Sequence, residues 1–345
     1  MNKRHQGYTA AALIAVALGI CVILALHVGT IMIPVGGGLQ SILHGIGIPV
    51  SFAEPISAEQ ESVLWFIRMP RLIIGLLVGA ALALAGVVMQ GVFSNPLADP
   101  GIMGVSAGAS LGAVIAIAFG MTSLGMFYMP LFAFVGAFVS VGITIMLTWR
   151  NNRLDTTTLL LAGVAVSMLL GAFTSGILTM INEYRLREFL FWMVGGLDFR
   201  RWDHVMLAVG PITVGSVILM MLGRHLNVLV LGDTEARALG LPVMLYRILF
   251  LFLASLITAT AVCVSGSIGF VGLVVPHIVR LLVGPDHRIL LPMSAVGGAL
   301  FLVFCDTLGR VVAQPVEIRV GIMTALLGAP YFLYLLHRLR RKGGV

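Results

Sequence analysis

Along the chain, uncharged apolar runs alternate with short polar intervals. The runs fall at 8–33, 72–98, 101–149, 156–182, 205–223, 248–276, 289–305 and 320–336. A helix crossing a bilayer needs about 20 mostly apolar residues, so each run predicts one span. The 101–149 run is long enough for two, with its turn between Gly120 and Pro130. Nine spans follow directly. A tenth fits within 248–284, where Ser265-Gly266-Ser267-Ile268-Gly269 interrupts the apolar pattern and a shorter apolar stretch follows. The runs lack the period-two alternation of barrel strands, so the expectation is an all-α polytopic membrane protein of about ten transmembrane helices. The longest polar interval is 35–71, too short to hide a soluble domain, and 1–345 reads as a single transmembrane domain.

Composition sharpens this picture. The 345 residues are 59% apolar and 10% charged, whereas soluble domains carry about 25% charged residues. Only Lys3 and Lys342 are lysines. A P-loop needs its lysine on the nucleotide phosphates, so the chain is not its own P-loop ATPase; an intramembrane lysine for a retinal Schiff base is also missing. Cys21, Cys263 and Cys305 lie in apolar runs and read as small core residues. The first run is longer than a signal-peptide core and lacks a small-x-small cleavage site, so it reads as an uncleaved first span.

With the N-terminus inside, ten spans place Lys3, Arg4, Arg150, Arg153, Arg224, Arg237, Arg247, Arg280, Arg288, Arg338, Arg340, Arg341 and Lys342 on the cytoplasmic side. Arg68, Arg71, Arg185, Arg187, Arg200, Arg201, Arg310 and Arg319 then lie outside. The excess agrees with the positive-inside tendency and places both termini in the cytoplasm.

Local punctuation predicts two structured turns. In Asn95-Pro96-Leu97-Ala98-Asp99-Pro100-Gly101, Asn-Pro breaks a helix and Asp99 can cap the next, with Pro100 in its first position. In Gly232-Asp233-Thr234-Glu235-Ala236-Arg237-Ala238-Leu239-Gly240-Leu241-Pro242, Asp233 can cap a two-turn helix that Gly240 ends and Pro242 cannot continue. Small residues four apart, Gly75 with Gly79 and Gly104 with Gly108 and Gly112, predict close helix crossings.

Candidate chemistry is sparse. Gly104-Val105-Ser106-Ala107-Gly108 matches G-x-S-x-G, but it lies in an apolar run and not at a strand-to-helix turn. The eight histidines show no paired-ligand spacing, no metal site is expected, and His277 reads as a hydrogen bonder at a helix end. The eighteen methionines read as gap-fillers. Asp306 and Arg310, four apart, suit either an intramembrane ion pair or a proton relay, the latter opening an ion-coupled carrier as a distant alternative.

Three segments together resemble the FecCD-type permeases, membrane subunits of bacterial ABC importers for ferric siderophores, haem and vitamin B12. The first runs from Met89-Gln90-Gly91 through Asn95, Pro96, Asp99, Pro100, Gly101, Gly104 and Gly108 to Ala109. The second runs from Gly266 through Pro276, His277 and Arg280 to Arg288, and the third from Gly321 through Gly328 and Pro330 to Phe332. The resemblance implies a vitamin-B12-importer-like permease fold in the bacterial inner membrane, a second copy of the chain as partner, and a path between the two copies. It also implies two ATP-binding cassette subunits that bind ATP and Mg and hydrolyse it, and a periplasmic or lipid-anchored binding protein. The chain itself then holds no cofactor, catalyses no covalent step and binds no nucleic acid. Ferric siderophore is the expected substrate, with haem or cobalamin the alternative.

By the same resemblance, the loop at 224–243 couples to the ATPase through Asp233, Glu235, Ala236, Arg237, Leu239 and Gly240; an ordinary capped loop helix is the plainer reading. Arg68, Arg71 and Arg310 match positions that face acids of the binding protein, or else are snorkelling anchors. Residues 183–202 resemble a short external helix, whose Arg185, Arg187, Arg200 and Arg201 either attract an anionic chelate or form a solvated face. Arg319 stands where a proline is expected.

Overall fold

The computed structural model describes residues 3–51, 53–150 and 153–342. The first helices are α1 (Lys3–His27), α2 (Val35–Gly45), α3 (Ala58–Val63), α4 (Met69–Val92), α5 (Val105–Ala118) and α6 (Tyr128–Thr148). They are followed by α7 (Thr156–Leu178), α8 (Glu183–Met193), α9 (Trp202–Met221), α10 (Gly223–Leu229) and α11 (Asp233–Ala238). The last four are α12 (Val243–Ser265), α13 (Val271–Val283), α14 (His287–Val312) and α15 (Val320–Lys342). A two-residue antiparallel bridge pairs Trp149 with Leu154 between α6 and α7. The side chains of Lys3, Arg4, Arg150, Arg153, Arg338, Arg340, Arg341 and Lys342, on which the charge asymmetry leans, lie outside the described residues.

Six helical stretches are long and apolar enough to cross a membrane, and four shorter apolar helices accompany them among the described residues. Together they account for the ten expected spans, including the two within 101–149 and the two on either side of Gly266. The polar interval at 35–71 is more ordered than its composition suggests. It forms α2 and α3, and a π turn at Leu64–Arg68 runs α3 directly into α4. Ser57 caps α3 with a full capping box to Gln60.

Helix α4 is the axis of the molecule, packed against α9, α12, α13 and α14. Its Val78, Ala81, Ala83, Leu84, Ala85, Val87 and Val88 are fully buried. Lipid gives no hydrophobic drive for helices to pair, so close backbone approach has to supply the packing. Gly79 supplies it against the backbone of Gly298 in α14, and Gly86 against Gly272 in α13. Gly108 and Gly112 of α5 do the same against α6 at Gly136 and Phe132. Gly104 does not belong to that ridge: at φ +81° it is the left-handed joint between a 3₁₀ turn (Pro100–Met103) and α5. The G-x-S-x-G stretch is therefore a turn-to-helix joint with Ser106 in the first turn of α5.

At 13 residues, α13 is about 20 Å long, short of the about 30 Å apolar core of a bilayer. The irregular chain from Gly266 to Phe270 completes it. Such backbone is tolerated at membrane depth only where protein covers it. Here the 194–196 loop after α8 does so: Gly196 N–H donates to Ser265 O at 2.8 Å, and Gly321 N–H of α15 donates to Gly195 O at 3.2 Å. The three cysteines are buried and unpaired.

Candidate functional site

Two polar groupings interrupt the apolar body, at opposite ends of α4. From Arg71 to Gln90 the helix rises about 28 Å, close to the apolar thickness of a bilayer.

The first grouping surrounds Arg71 at the start of α4. Its Nε donates to Asp306 Oδ2 at 2.9 Å and its Nη2 to Asp306 Oδ1 at 2.9 Å, a two-pronged pair. Its Nη1 reaches Glu317 Oε2 at 2.8 Å, in the loop before α15. Arg310, one helical turn beyond Asp306, donates to Ala25 O of α1 at 3.0 Å and sits 3.6 Å from Asp306. Arg68 donates to Leu26 O at 2.6 Å and also to Ile31 O. A buried guanidinium is costly unless it finds partners, and each of these turns inward to carbonyls or a carboxylate, with Arg310 Nε left without a hydrogen bond. This corrects the expectation for Arg68, Arg71 and Arg310 as outward-facing docking cations. They are 5–7% exposed and staple α1, α4, α14 and the loop before α15 together. The Asp306–Arg310 ion pair expected from the four-residue spacing is present at 3.6 Å, and Asp306 has a second, tighter partner in Arg71. The remaining arginines of this end are engaged too. Arg319 pairs with Asp198 at 3.0 Å and lies over the Phe191 ring, Arg185 donates to Ala118 O at 2.9 Å, and Arg200 contacts Gly196 O. Arg187 and Arg201 are exposed, on loose pairs with Glu183 and Asp203.

The second grouping is the short helix α11. Gly232, not Asp233, is its N-cap, with φ +110°. Asp233 is drawn away by Arg247 of α12, whose Nη2 lies 2.5 Å from Oδ1 and whose Nη1 donates to Oδ2 at 3.3 Å. The same Nη1 donates to Leu154 O at 2.9 Å, just before Asp155 caps α7. One buried guanidinium therefore joins α11 to the starts of α7 and α12. At the other end, Gly240 at φ +81° donates to Arg237 O and Leu241 N–H to Ala236 O, the two bonds of a Schellman ending. Ala236 is fully buried and seats α11 on the body. Glu235, Arg237 and Leu239 face outward, and Leu239 is 65% exposed, an apolar tip on a polar helix.

The other motif residues are structural and cluster near this end. Asn95 Oδ1 accepts from Leu97 N–H at 2.9 Å and Asp99 Oδ1 from Gly101 N–H at 2.8 Å, so Asp99 caps the 3₁₀ turn that Pro100 begins and not a span. Pro96 follows Asn95 in this turn, and the Pro100 ring lies against Gly272. Pro276 sits inside α13 and has no N–H, which frees Gly272 O. Gln90 takes it up, its Nε2 donating to Gly272 O at 3.3 Å and Leu273 O at 3.4 Å, while its Oε1 accepts from Arg280 at 2.9 Å. The sequence signal for Gln90 is an amide inside the 72–98 apolar run, two residues before the end of α4. Gly328 of α15 makes room for the Phe270 ring, and Pro330 lies two residues on, inside the same helix. His277 is not at a helix end: it lies within α13, its Nδ1 without a hydrogen-bond partner, facing Tyr331 at 6.4 Å between rings.

The comparisons with known proteins agree with this geometry. Residues 17–338 match the FecCD transport family. The chain is 44% identical over 329 residues to a cobalamin import system permease of Halobacterium salinarum, covering 94% of this chain and 87% of that one. It is 40% identical over 304 residues to the hemin transport system permease of Yersinia pestis, covering 86% and 90%. Among solved structures, an inward-facing metal-chelate type ABC transporter superposes with a TM-score of 0.83 at 32% identity, covering 95% of this chain and 98% of that chain. A bundle with ten apolar helices among the described residues, a helix bolted between two spans, and this extent of similarity make the chain an ABC importer permease of the FecCD transport family.

Proposed function

We propose that this chain forms, with a second copy of itself, the path of an ATP-driven importer for a large metal-centred chelate in a bacterial cytoplasmic membrane, with α10 and α11 on the cytoplasmic side. The observation that carries the coupling is the Arg247 bolt. Two separate ATP-binding cassette subunits, which bind ATP and Mg, would push on Leu239 and its neighbours. Because Asp233 is tied through Arg247 to α12 and to the chain entering α7, a push on α11 becomes a displacement of two spans. Loop backbone alone would dissipate the same push. A substrate-binding protein would deliver the chelate at the opposite end, where Glu317 and the exposed Arg187 and Arg201 supply charge for orientation more than for affinity. The permease makes no bond to ATP.

For the substrate, the names of the similar permeases favour a corrinoid or haem over the ferric siderophore expected from sequence, and all three are chelates of similar kind. The test is uptake into liposomes holding this chain with its ATPase and binding protein, offered cobalamin, haem and a ferric siderophore in turn. ATP-dependent accumulation of one of them is expected. Uptake that ignores ATP and collapses with an uncoupler would instead favour an ion-coupled carrier.

A further inference from the structure

Beside α10 a cleft of about 590 Å³ opens at the C-terminal end of α4. Its walls carry Gln90, Asn95, Asn227, Arg280, Asp286 and His287. Two groups in it are only partly satisfied inside the chain. Arg280 has no carboxylate within ion-pair distance among the described residues; its hydrogen bond is to the neutral amide of Gln90. Asp286, the acid of the same cleft, is already held by Arg288 at 2.7 Å and by Asn227 Nδ2 at 2.7 Å. His287 is 5% exposed; its Nδ1 lies 2.7 Å from Asn227 Oδ1, and its Nε2 has no hydrogen-bond partner. A cation without an anion and a buried ring nitrogen without a partner make a half-filled polar site.

We infer that this cleft seats an acidic side chain of the cytoplasmic ATPase subunit, with Arg280 as its ion-pair partner. The inference rests on the reading of α11 as the coupling helix and adds a second, charged contact beside it. Continuity supports this occupant: Asn227, Val230 and Leu231 of the α10 segment form one wall, and α11 begins two residues later. Position supports it over a lipid headgroup, because the cleft opens at the end of α4, the span packed on all sides by other helices. A guanidinium in such a recess gains more from a carboxylate than the same group on an open surface. Opposite charges would also fix the register in which the ATPase meets α11.

The test uses the assembled permease–ATPase complex. Arg280→Glu is expected to weaken ATPase binding by about tenfold or more, and Arg280→Lys by much less. Reversing one ATPase carboxylate to arginine should restore binding to Arg280→Glu alone, which a merely structural defect would not allow. A photo-crosslinker on exposed Ser94→Cys should label the ATPase at the segment carrying that carboxylate. If Leu239→Cys labels the ATPase while Ser94→Cys labels only lipid or nothing, this inference fails and the coupling reading stands. If neither site labels the ATPase, both fail. If Arg280→Glu binds as the parent does, the charged seat is refuted.

Discussion

Arg71 and Asp306 lie 235 positions apart in the chain and meet as a two-pronged ion pair beneath the end of the bundle, with 9% and 7% of their side chains exposed. A pair so enclosed contributes little relative to a well-packed apolar pair, yet removing one member leaves the other charge stranded. Asp306→Ala leaves Arg71 with Glu317 as its one remaining carboxylate and Arg310 with none within ion-pair distance among the described residues. It should cost about 3–5 kcal/mol, read as a lower thermal midpoint of the detergent-solubilised protein. Arg71→Met with Asp306→Leu should recover most of that loss. A single variant that melts with the parent would show that the pair is not the staple described.

At the other end, Asp233 and Arg247 predict a split between assembly and transport. Arg247→Ala releases α11 from α7 and α12 but leaves Leu239 exposed. ATPase should still bind, while ATP-driven uptake falls by about tenfold or more, the scale of losing a charge-assisted contact of 1.5–3 kcal/mol. Leu239→Asp should do the reverse, lowering ATPase binding itself. Equal losses of binding and uptake in both variants would remove the distinction between bolt and contact.

The outline of this fold was written locally. Runs of apolar residues located the spans, Asn95-Pro96 and Asp99-Pro100 marked one turn, and Gly240 with Pro242 marked another, because each acts within a few residues of itself. Partnerships across the chain were not written so. Arg68, Arg71 and Arg310 read as surface cations because their acceptors lie in other helices: Leu26 O, Asp306 and Ala25 O. Asp233 looked like a cap because Asp is a good one, and it lost that role to Gly232 once Arg247 came within reach. Gln90 depends on a carbonyl that Pro276 frees on a helix 182 positions away. Charge placement in a membrane protein is settled by which buried groups need partners, and periodicity carries no record of that.

Asp286 predicts a pH effect. Hydrogen bonds from Arg288 first, and from Asn227 and the Arg288 backbone, hold its carboxyl well below the usual carboxylate range. A depressed folded value means that the stabilisation is fully present above the unfolded value, near 4, and drains away as pH falls below it. Melting of the solubilised protein should therefore decline more steeply below about pH 4 than in Asp286→Asn. The variant keeps an oxygen for the α14 N-cap, which accepts from Arg288 N–H at 3.0 Å. Parallel acid limbs in parent and variant would count against the assignment.

Two glycine substitutions separate close packing from helix propensity. A Cβ on Gly86 would stand 2.6 Å from the carbonyl carbon and 2.7 Å from the Cα of Gly272, both backbone atoms that cannot rotate away. On Gly142, in α6, a Cβ would meet nothing within 4 Å. Alanine in mid-helix gains roughly 0.5–1 kcal/mol over glycine where space is free, so Gly142→Ala should melt at or above the parent. Gly86→Ala gains the same propensity but must push α4 and α13 apart, and overpacking costs about 1–3 kcal/mol or more. The displacement also pulls Gln90 from Gly272 O and shifts Arg280, so the loss should extend to ATPase binding. If Gly86→Ala melted like Gly142→Ala, the α4–α13 contact would have to be looser than the close backbone crossing seen at Gly86 and Gly272.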